Sequence, residues 1–532
     1  DYFLGGRDAT WLAIGASSFA SNIGSEHLIG LAGAGASSGM AMAHWEIQGW
    51  MILILGWVFV PFYTRSMVYT MPEFLERRYN PQSRTILSVI SLVSYVLTKV
   101  AVTVYAGGLV FQQVFGIKEL WGIDFFWIAA IGLVVLTALY TIFGGMKSVL
   151  YTSVLQTPIL LLGSLIILVL GFKELGGWDE MMRVCGAVTV NDYGDTMTNL
   201  IRSNDDANFP WLGALIGSAI IGFWYWCTDQ FIVQRVLSGK NEMEARRGTI
   251  FGAYLKLLPV FLFLIPGMIA FALHQKYIGA GGEGFLPMLA NGTANADAAF
   301  PTLVAKLLPA GVKGLVVCGI LAALMSSLAS LFNSSAMLFT IDFYKRFRPE
   351  TPEKKLVGIG QVATVVIVIL GILWIPIMRS VGDVLYTYLQ DVQSVLAPGI
   401  AAAFLLGICW KRTSAQGGMW GLISGMVIGL TRLGAKVYYS NAGEVADSTF
   451  KYLFYDMNWL FFCGWMFLFC IIVVIVVSLA TEAPTAEKIQ GLVFGTATKE
   501  QKAATRASWD HWDIIHTVII LAITGAFYWY FW

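Results

Sequence analysis

Length, composition and charge indicate that this chain of 532 residues is a polytopic membrane protein. Hydrophobic residues make up 57% of the sequence and charged residues 13%, whereas a soluble domain carries about 25% charged residues. The mean hydropathy is +0.69. The formal net charge of +1, with no basic stretch apart from the loops, gives no indication of nucleic-acid binding, and no nucleic-acid partner is predicted. The six cysteines show no metal-ligand spacing.

Apolar windows of about 20 residues, bounded by polar turns, predict about thirteen membrane spans. They lie near 8–34, 43–65, 82–115, 122–145, 150–174, 208–234, 245–275, 299–343, 355–380, 382–410, 415–437, 452–480 and 510–532. The eighth window is too long for one crossing, so its first turns are expected to form a separate outer helix. The predicted fold class is therefore an all-α polytopic membrane protein.

The distribution of Lys and Arg predicts the orientation of the spans. Alternate connections, such as 65–84 and 235–247, are rich in these residues, whereas the long 175–207 connection holds Asp, Asn and Gly. Because basic loops remain in the cytoplasm, Asp1 is predicted on the cytoplasmic side of the plasma (inner) membrane. Trp532 is then predicted on the outer side.

Two sets of five spans predict an internal repeat. Residues 8–174 would form the first repeat and 208–412 the second, with 1–7 as a cytoplasmic start and 413–532 as peripheral helices. Since each set has an odd number of spans, the second set must run inverted relative to the first. The first span of each set is interrupted by polar or aromatic residues. Inverted repeats with broken first helices are typical of one large class of secondary transporters.

The interruption of the first span is the polar stretch 20–27, with the sequence ASNIGSEH. Lipid offers such groups no partners, and unwound backbone occurs at membrane depth only where it is buried in protein or lines a cavity. The stretch is interpreted as the unwound middle of a discontinuous helix, whose free carbonyls can bind a cation. The alternatives are a re-entrant or interfacial segment, or a helix whose polar face packs on its neighbours.

Further polar residues lie inside predicted spans. They are Glu46, Lys256, Gln390, Gln393 and a helical stripe of Ala323, Ser326, Ser327 and Ser330. A structural ion pair, snorkelling or close helix packing explains each of them taken alone. Together they provide acceptors, donors and amides for a neutral polyol, and hydroxyls for a hard cation such as Na⁺. The sequence shows no nucleophile with its base and no phosphate-binding glycine loop, so an enzyme is not predicted.

Eight stretches, in the same order along nearly the whole chain, carry a family resemblance. They are 2–7, 16–27, 70–75, 143–146, 224–235, 254–259, 325–333 and 404–412. In these stretches the chain resembles the sodium:solute symporters, and specifically their sodium/glucose cotransporter branch. The resemblance implies two inverted five-helix repeats of the leucine-transporter type, alternating access, and import of a hexose (D-glucose or D-galactose) driven by the Na⁺ gradient across the lipid bilayer.

The resemblance also implies roles for residues at matching positions. Sugar contacts would come from Asn22, His27, Glu46, Tyr225, Trp226, Lys256 and Gln390. The outer gate would be formed by Leu31, Trp45 and Tyr386, with Tyr225 as the inner gate beneath the sugar. Na⁺ would be held by the carbonyls of Ala20, Ile23 and Ala323 and by the hydroxyls of Ser326 and Ser327.

The chain departs from the family pattern at several positions. Gly222 replaces a polar residue that usually reaches the sugar, so one contact is expected to be lost or given to water. Ala329 and Ser153 stand where members that move two Na⁺ ions carry a hydroxyl and an acidic residue, which predicts one Na⁺ per sugar. The family pattern also predicts one more helix upstream of Asp1.

Other functions remain open at this stage. The same family includes importers of inositol, sialic acid and proline; a carboxylate substrate would be repelled by Glu46, whereas inositol would not. A channel or a sugar sensor on the same scaffold is a rival from another class, and a membrane enzyme is a further one.

Overall fold

The computed structural model of the chain describes residues 4–24, 26–289, 292–379, 385–441 and 446–532. Within them, side chains are not described for Gly5, Leu97, Gln113, Tyr140, 142–145, 376–379, 385–388, 440 and 441. The described chain is helical apart from loops and one antiparallel hairpin, in which β1 (Glu119–Leu120) pairs with β2 (Ile123–Asp124). The all-α prediction is confirmed.

The helices follow one another in three groups. The first group is α1 (Trp11–Asn22), α2 (Ala32–Ser38), α3 (Ala43–Glu46), α4 (Gly49–Ile54), α5 (Val60–Ser66), α6 (Met71–Arg78), α7 (Pro81–Ser94), α8 (Ala101–Phe115), α9 (Phe125–Leu175) and α10 (Trp178–Gly186). The second is α11 (Trp211–Phe223), α12 (Gln230–Leu237), α13 (Glu242–Lys256), α14 (Ile265–Gly279), α15 (Ala299–Leu307), α16 (Ala310–Met337), α17 (Lys345–Phe347), α18 (Glu353–Arg379) and α19 (Leu385–Cys409). The third is α20 (Ala415–Asn441), α21 (Thr449–Lys451), α22 (Trp459–Ala480), α23 (Ala486–Ile489), α24 (Lys499–Ala507) and α25 (His511–Tyr530).

Short segments of wider or tighter helix connect several of these elements. The π-helical segments are Glu26–Leu31, Leu55–Phe59, Tyr95–Val100, Trp224–Thr228, Val260–Leu264, Leu338–Tyr344 and Tyr452–Asp456. The 3₁₀ segments are Gly5–Arg7, Gly39–Met42 and Ala296–Ala298. π-Helical turns are frequent at functional sites, and two of them flank the breaks described below.

Ten helical segments in the described residues are long and apolar enough to cross a membrane, so the count of thirteen is not confirmed. The first predicted window is divided, because α1 has 12 residues and ends at a break. The fourth corresponds to the shorter apolar stretch Phe125–Leu139. The eleventh corresponds to α20, which carries the cations Arg432 and Lys436 among its apolar residues.

Two predicted spans, 122–145 and 150–174, are joined in a single helix. α9 runs for 51 residues, more than twice the roughly 20 residues that one crossing needs. Residues 146–149, where a non-helical turn was predicted, are helical. The prediction of a loop there is wrong, because the Gly-Gly pair at 144–145 does not interrupt the backbone hydrogen-bonding pattern. The side chains of 142–145 lie outside the described residues.

The predicted interruptions of the first spans of both repeats are confirmed. α1 ends at Asn22, and Ile23 adopts an extended conformation (φ −82°, ψ 99°) before the π-helical turn at Glu26. In the second repeat, the π-helical turn Trp224–Thr228 ends at Asp229, which is extended (φ −75°, ψ 127°). The separate outer helix predicted in the eighth window is also present: α15 ends at Leu307, and α16 begins after Pro309.

The packing of these elements puts the broken helices at the centre. α1 lies against α13, α9 and α16, and α16 in turn packs along α9. α19, α20 and α22 form a second packed group, which contacts α11 through α19 and α22. α25 lies against α4 and α13 at the edge. The breaks at Ile23 and Asp229 are therefore surrounded by protein, as irregular backbone at membrane depth must be.

Candidate functional site

A small cavity lies where the broken helices meet. Its lining comes from the break after α1, from α3, from the end of α11, from α13 and from α19. The lining residues are Asn22, Glu26, His27, Trp45, Glu46, Gln48, Ile221, Gly222, Tyr225, Trp226, Lys256, Gln390 and Gln393. The structure thus brings all seven residues predicted for solute contact to one cavity.

Glu46 is at the centre of the polar groups in this cavity. Its Oε2 accepts a hydrogen bond from Lys256 Nζ at 2.6 Å and lies 3.1 Å from His27 Nε2. Asn22 Nδ2 is 3.5 Å from the same His27 nitrogen. Glu46 is 1% exposed and Lys256 is 3% exposed. A buried charge needs such pairing and hydrogen bonding to be tolerated, so these side chains are held in fixed positions.

Aromatic rings form the apolar part of the cavity wall. Tyr225 and Trp226 pack edge to face with ring centroids 5.2 Å apart, and the Lys256 ammonium lies 5.5 Å from the Trp226 ring. Trp45 stacks on Trp459 with centroids 5.5 Å apart. Rings of this kind offer an apolar face to a ligand while neighbouring polar groups fix its orientation.

Gln390 Oε1, an acceptor, and Trp45 Nε1, a donor, belong to the lining and are buried without a hydrogen-bond partner among the described residues. Leaving a buried polar group unpaired costs about 1–3 kcal/mol. A ligand that both donates and accepts hydrogen bonds would satisfy them, which is the chemistry of a hydroxyl-rich solute.

The predicted gate residues are only partly placed at the cavity. Trp45 and Tyr225 line it. Leu31 is fully buried in the π-helical segment after the first break, but it is not part of the cavity lining. The side chain of Tyr386 lies outside the described residues, so its predicted role stays a prediction.

The predicted Na⁺ ligands lie where the break after α1 faces α16. The Ile23 N–H donates to the Phe19 carbonyl (2.9 Å), and helical hydrogen bonding resumes at the Gly24 carbonyl, which accepts from His27 and Leu28. Ser327 Oγ donates to the Ser21 carbonyl at 2.9 Å.

The remaining predicted ligands belong to the same helices. Ala20 lies in the last turn of α1, and Ala323 lies one turn before Ser327 on α16. Ser326 Oγ is 3.2 Å from Ser153 Oγ on α9. Carbonyls at a helix break together with serine hydroxyls are oxygen ligands of the kind that Na⁺ prefers.

Sequence reasoning gave no site role to three residues of the cavity wall, Glu26, Gln48 and Ile221. The solute contact that Gly222 does not provide was expected to be lost or given to water. The space beside Gly222 is taken by the Gln48 carboxamide. Gln48 Nε2 donates to the Ser218 carbonyl at 2.8 Å. Gln48 lies only two residues after Glu46, and this proximity could have marked it as a candidate site residue. Its contact with α11 could not be inferred from the sequence.

A second group missed from the sequence lies beside Tyr225. Lys99 Nζ is 3.1 Å from Asp229 Oδ2, and both side chains are buried. The Lys99 ammonium also lies 4.3 Å from the centroid of the Tyr225 ring and 3.7 Å from that of Phe231. Tyr95 donates a hydrogen bond to the same carboxylate. This cluster ties the π-helical segment before α8 to the second break.

Comparisons with known proteins identify the family of the chain. The family model of the sodium:solute symporter family matches residues 2–425. The human sodium/myo-inositol cotransporter 2 is 37% identical over 508 residues, covering 93% of this chain and 74% of that protein. The dog sodium/myo-inositol cotransporter is 37% identical over 516 residues, covering 93% and 71%.

Solved structures support the fold. A Na⁺-coupled sialic acid symporter in a substrate-bound outward-open state matches with a TM-score of 0.70 at 22% identity, covering 91% of this chain and 93% of that one. Mhp1, a nucleobase-cation-symport-1 family transporter, matches with a TM-score of 0.50 at 14% identity, covering 92% and 97%. The predicted leucine-transporter-type fold is confirmed.

The relatives also bear on the predicted activity. They are named as cotransporters, which agrees with a transporter rather than an enzyme. Their printed solute is myo-inositol, so the hexose prediction is not confirmed. The chain is therefore a multi-pass membrane protein with Na⁺ as its co-transported ion. Because the family model matches residues 2–425 and a relative is 37% identical over 508 residues, the chain belongs to the sodium:solute symporter family.

Proposed function

We propose that this symporter imports a neutral cyclic polyol with Na⁺, and that myo-inositol is its first candidate solute. The observation that carries the proposal is the composition of the cavity: a neutralised Glu46–Lys256 pair, amides and two unsatisfied polar atoms beside aromatic rings. The names of the relatives, sodium/myo-inositol cotransporters, support the choice of solute.

A neutral solute fits the charges of the cavity better than a carboxylate does. Lys256 is already paired with Glu46, and the residues of the lining include no arginine. A carboxylate would meet Glu46 without a free cation to receive it. This argues against a sialic acid or proline as the solute.

A hexose, D-glucose or D-galactose, is the second candidate. The observation that favours it is the pair of adjacent rings, Tyr225 and Trp226, which pack edge to face beside the polar groups. The C–H face of a pyranose stacks on such rings, while its hydroxyls reach the amides. An inositol carries a hydroxyl on every ring carbon, whereas a hexopyranose has a ring oxygen and a carbon bearing a hydroxymethyl group. An inositol therefore offers more ring hydroxyls to the polar groups of the cavity.

Na⁺ acts in this proposal by fixing the break after α1. The carbonyls of Ala20, Ile23 and Ala323 would bind the ion together with the hydroxyls of Ser326 and Ser327. The same break carries solute ligands, so binding of the ion favours the solute-binding shape. Each ligand then raises the affinity for the other by the same factor.

One Na⁺ is expected to accompany each solute molecule. Ala329 has no hydroxyl to offer a second ion, and Ser153, which lies beside Ser326, carries no charge.

The release of Na⁺ to a low-sodium cytoplasm would loosen the break after α1 and let Tyr225 move aside. This movement gives alternating access, with the Asp1 side facing the cytoplasm.

The test is uptake of labelled myo-inositol into proteoliposomes with and without an inward Na⁺ gradient. Excess unlabelled myo-inositol, D-glucose, D-galactose and proline serve as competitors, and uptake of labelled D-glucose is measured in parallel. Na⁺-dependent accumulation above the external concentration, blocked by myo-inositol and not by proline, is the expected result. Na⁺-dependent accumulation of labelled D-glucose, without accumulation of labelled myo-inositol, would replace the first candidate with the second. Uptake that only equilibrates, with or without Na⁺, would indicate a channel or a sensor and overturn the proposal.

A further inference from the structure

Gly222 opens a gap in the cavity wall, and Gln48 fills it. Gly222 lies in the last turn of α11, just before the π-helical segment at Trp224. A Cβ atom at position 222 would lie 2.9 Å from Cδ and 3.1 Å from Nε2 of Gln48, and closer still to its Oε1. Non-bonded carbon atoms pack at about 3.5–4.0 Å. The two positions are therefore coupled: any side chain at 222 requires Gln48 to move.

The Gln48 side chain is buried with part of its hydrogen-bonding capacity unused by the protein. It is 2% exposed and lies in the turn between α3 and α4, two residues after Glu46. Its bond from Nε2 to the Ser218 carbonyl (2.8 Å) is the one hydrogen bond that it makes to a described residue. Oε1 and the second amide hydrogen therefore remain for a ligand, and Gln48 lines the cavity.

We propose that Gln48 contacts the transported solute and, through the gap at Gly222, selects a hydroxyl at the Ile221–Gly222 end of the cavity. This inference rests on the proposed function, since it assigns a ligand group to the same cavity. A carboxamide both accepts and donates, so it pairs with a hydroxyl in either direction. A solute that lacks this hydroxyl leaves a buried amide unpaired, and discrimination against such analogues is the strongest kind that a polar site provides.

The coupling to Gly222 gives the proposal a second, independent consequence. The methyl group of Gly222→Ala would displace the Gln48 carboxamide and weaken the same solute contact. In a Gln48→Ala background that methyl group has room, so it has no further effect. The two substitutions are therefore expected to be non-additive, as residues in contact are.

The experiment measures the inhibition of labelled solute uptake by the transported polyol and by its complete series of single-deoxy analogues. The proteins are the wild type, Gln48→Ala, Gly222→Ala and the double variant, with Gln112→Ala as a control. Gln112 bonds Asp124 at the end of α8, away from the cavity. In the wild type, one analogue should bind about fivefold to tenfold more weakly than the parent polyol because of this one contact.

In Gln48→Ala, binding of the parent polyol should weaken by about the same factor, whereas binding of that analogue should not change. The difference in affinity between the two compounds then disappears. Gly222→Ala should behave likewise, and the double variant should match Gln48→Ala. The Na⁺ affinity measured in the absence of solute should be unchanged, and the control variant should behave like the wild type.

Three results would overturn the inference while leaving the proposed function intact: an unchanged analogue profile in Gln48→Ala, an equal loss for every analogue, or multiplicative effects in the double variant. The equal loss would indicate that Gln48 is structural through its bond to Ser218. The proposed function fails separately, if the wild type shows no Na⁺-dependent polyol uptake at all.

Discussion

Glu46 organises the cavity because one carboxylate holds two nitrogen-bearing side chains from different helices. Lys256 comes from the end of α13, and His27 from the π-helical turn after the first break. At 1% exposure, the carboxylate has no access to water that could replace these partners. Removing one member of a buried ion pair destabilises a protein by about 3–5 kcal/mol, because the other charge is left unpaired.

The variant Glu46→Ala should therefore lose both solute binding and stability. We expect Na⁺-dependent uptake to fall to background and the melting temperature of the purified protein to drop by several degrees. Arg183→Ala is the control, since it breaks the solvent-exposed Glu180–Arg183 pair, and exposed pairs contribute about 0–1 kcal/mol. A Glu46→Ala protein that keeps a solute-induced rise in melting temperature would contradict the proposed role of Glu46.

Gln390 should show the opposite balance of effects. Its Oε1 is buried without a described partner, so Gln390→Ala removes an unsatisfied group and should not lower the stability of the ligand-free protein. Solute affinity should fall about fivefold to tenfold through loss of one hydrogen bond. Na⁺ binding in the absence of solute, measured by thermal shift, should be unchanged. Equal loss of Na⁺ and solute binding would show that the site assignment is wrong.

At the scale of elements, the break after α1 positions both the predicted Na⁺ ligands and the solute ligands, which no single side chain does. It interrupts the helix so that carbonyls on one side face α16, while Asn22 and His27 reach the cavity. Gly24 keeps the two helices close, because a Cβ there would lie 2.6 Å from Ser327 Oγ. Ion site and solute site therefore share one deformable segment, as coupling between them requires.

Ser327→Ala tests this arrangement. The substitution removes the hydroxyl that donates to the Ser21 carbonyl and one predicted Na⁺ ligand. We expect uptake to need at least about tenfold more Na⁺ for half-maximal rate, which corresponds to about 1.4 kcal/mol. Ser424→Ala on α20 is the control, because Ser424 bonds only its own helix backbone and Cys470 among the described residues. Unchanged Na⁺ dependence in Ser327→Ala would refute the ion site.

The second break, at Asp229, is stabilised by a buried ion pair of the protein itself, whereas the first break is the predicted Na⁺ site. Asp229 accepts from Lys99 Nζ at 3.1 Å and from the Phe231 N–H at 3.1 Å, where α12 begins. Asp229→Asn should leave Lys99 charged and unpaired, and lower stability by about 3–5 kcal/mol. Adding Lys99→Met should restore much of the lost melting temperature, since an apolar side chain then packs on the Phe231 ring. A double variant as unstable as Asp229→Asn would contradict this account.

At the scale of the whole molecule, local patterns predicted the course of the chain better than its long-range contacts. The helix breaks at Ile23 and Asp229 follow from polar or aromatic runs inside apolar windows, and they are present. The extent of α9 was not predictable in this way, because glycines are permitted in helices and the hydropathy minimum near Lys147 reads equally well as a loop.

The same difference between local patterns and long-range contacts applies to the residues of the cavity. Glu46 and Lys256 stood out as charges inside apolar windows, the resemblance implied solute contact for both, and they meet at one cavity. The bond between Gln48 and Ser218 joins residues 170 positions apart, and the Lys99–Asp229 bond joins residues 130 apart. No local pattern encodes such contacts, because they depend on how the two halves of the chain pack.

The stoichiometry of coupling is a property of the whole transport cycle, and it can be measured at thermodynamic balance. With one Na⁺ per neutral solute and no membrane potential, an inward Na⁺ gradient of about tenfold holds a solute gradient of about tenfold, since each supplies about 1.4 kcal/mol. Two ions per solute would hold about a hundredfold. Proteoliposomes clamped at zero potential and loaded with graded solute concentrations should therefore show no net flux when the two gradients are equal. In a matched series with Ala329→Ser, which adds a hydroxyl to α16, the balance point should stay at equal gradients, because Ser153 still provides no charge for a second ion. If net flux in the wild type instead stops when the solute gradient equals the square of the Na⁺ gradient, the one-ion proposal is wrong. A second ion would then be bound by ligands other than Ala329 and Ser153.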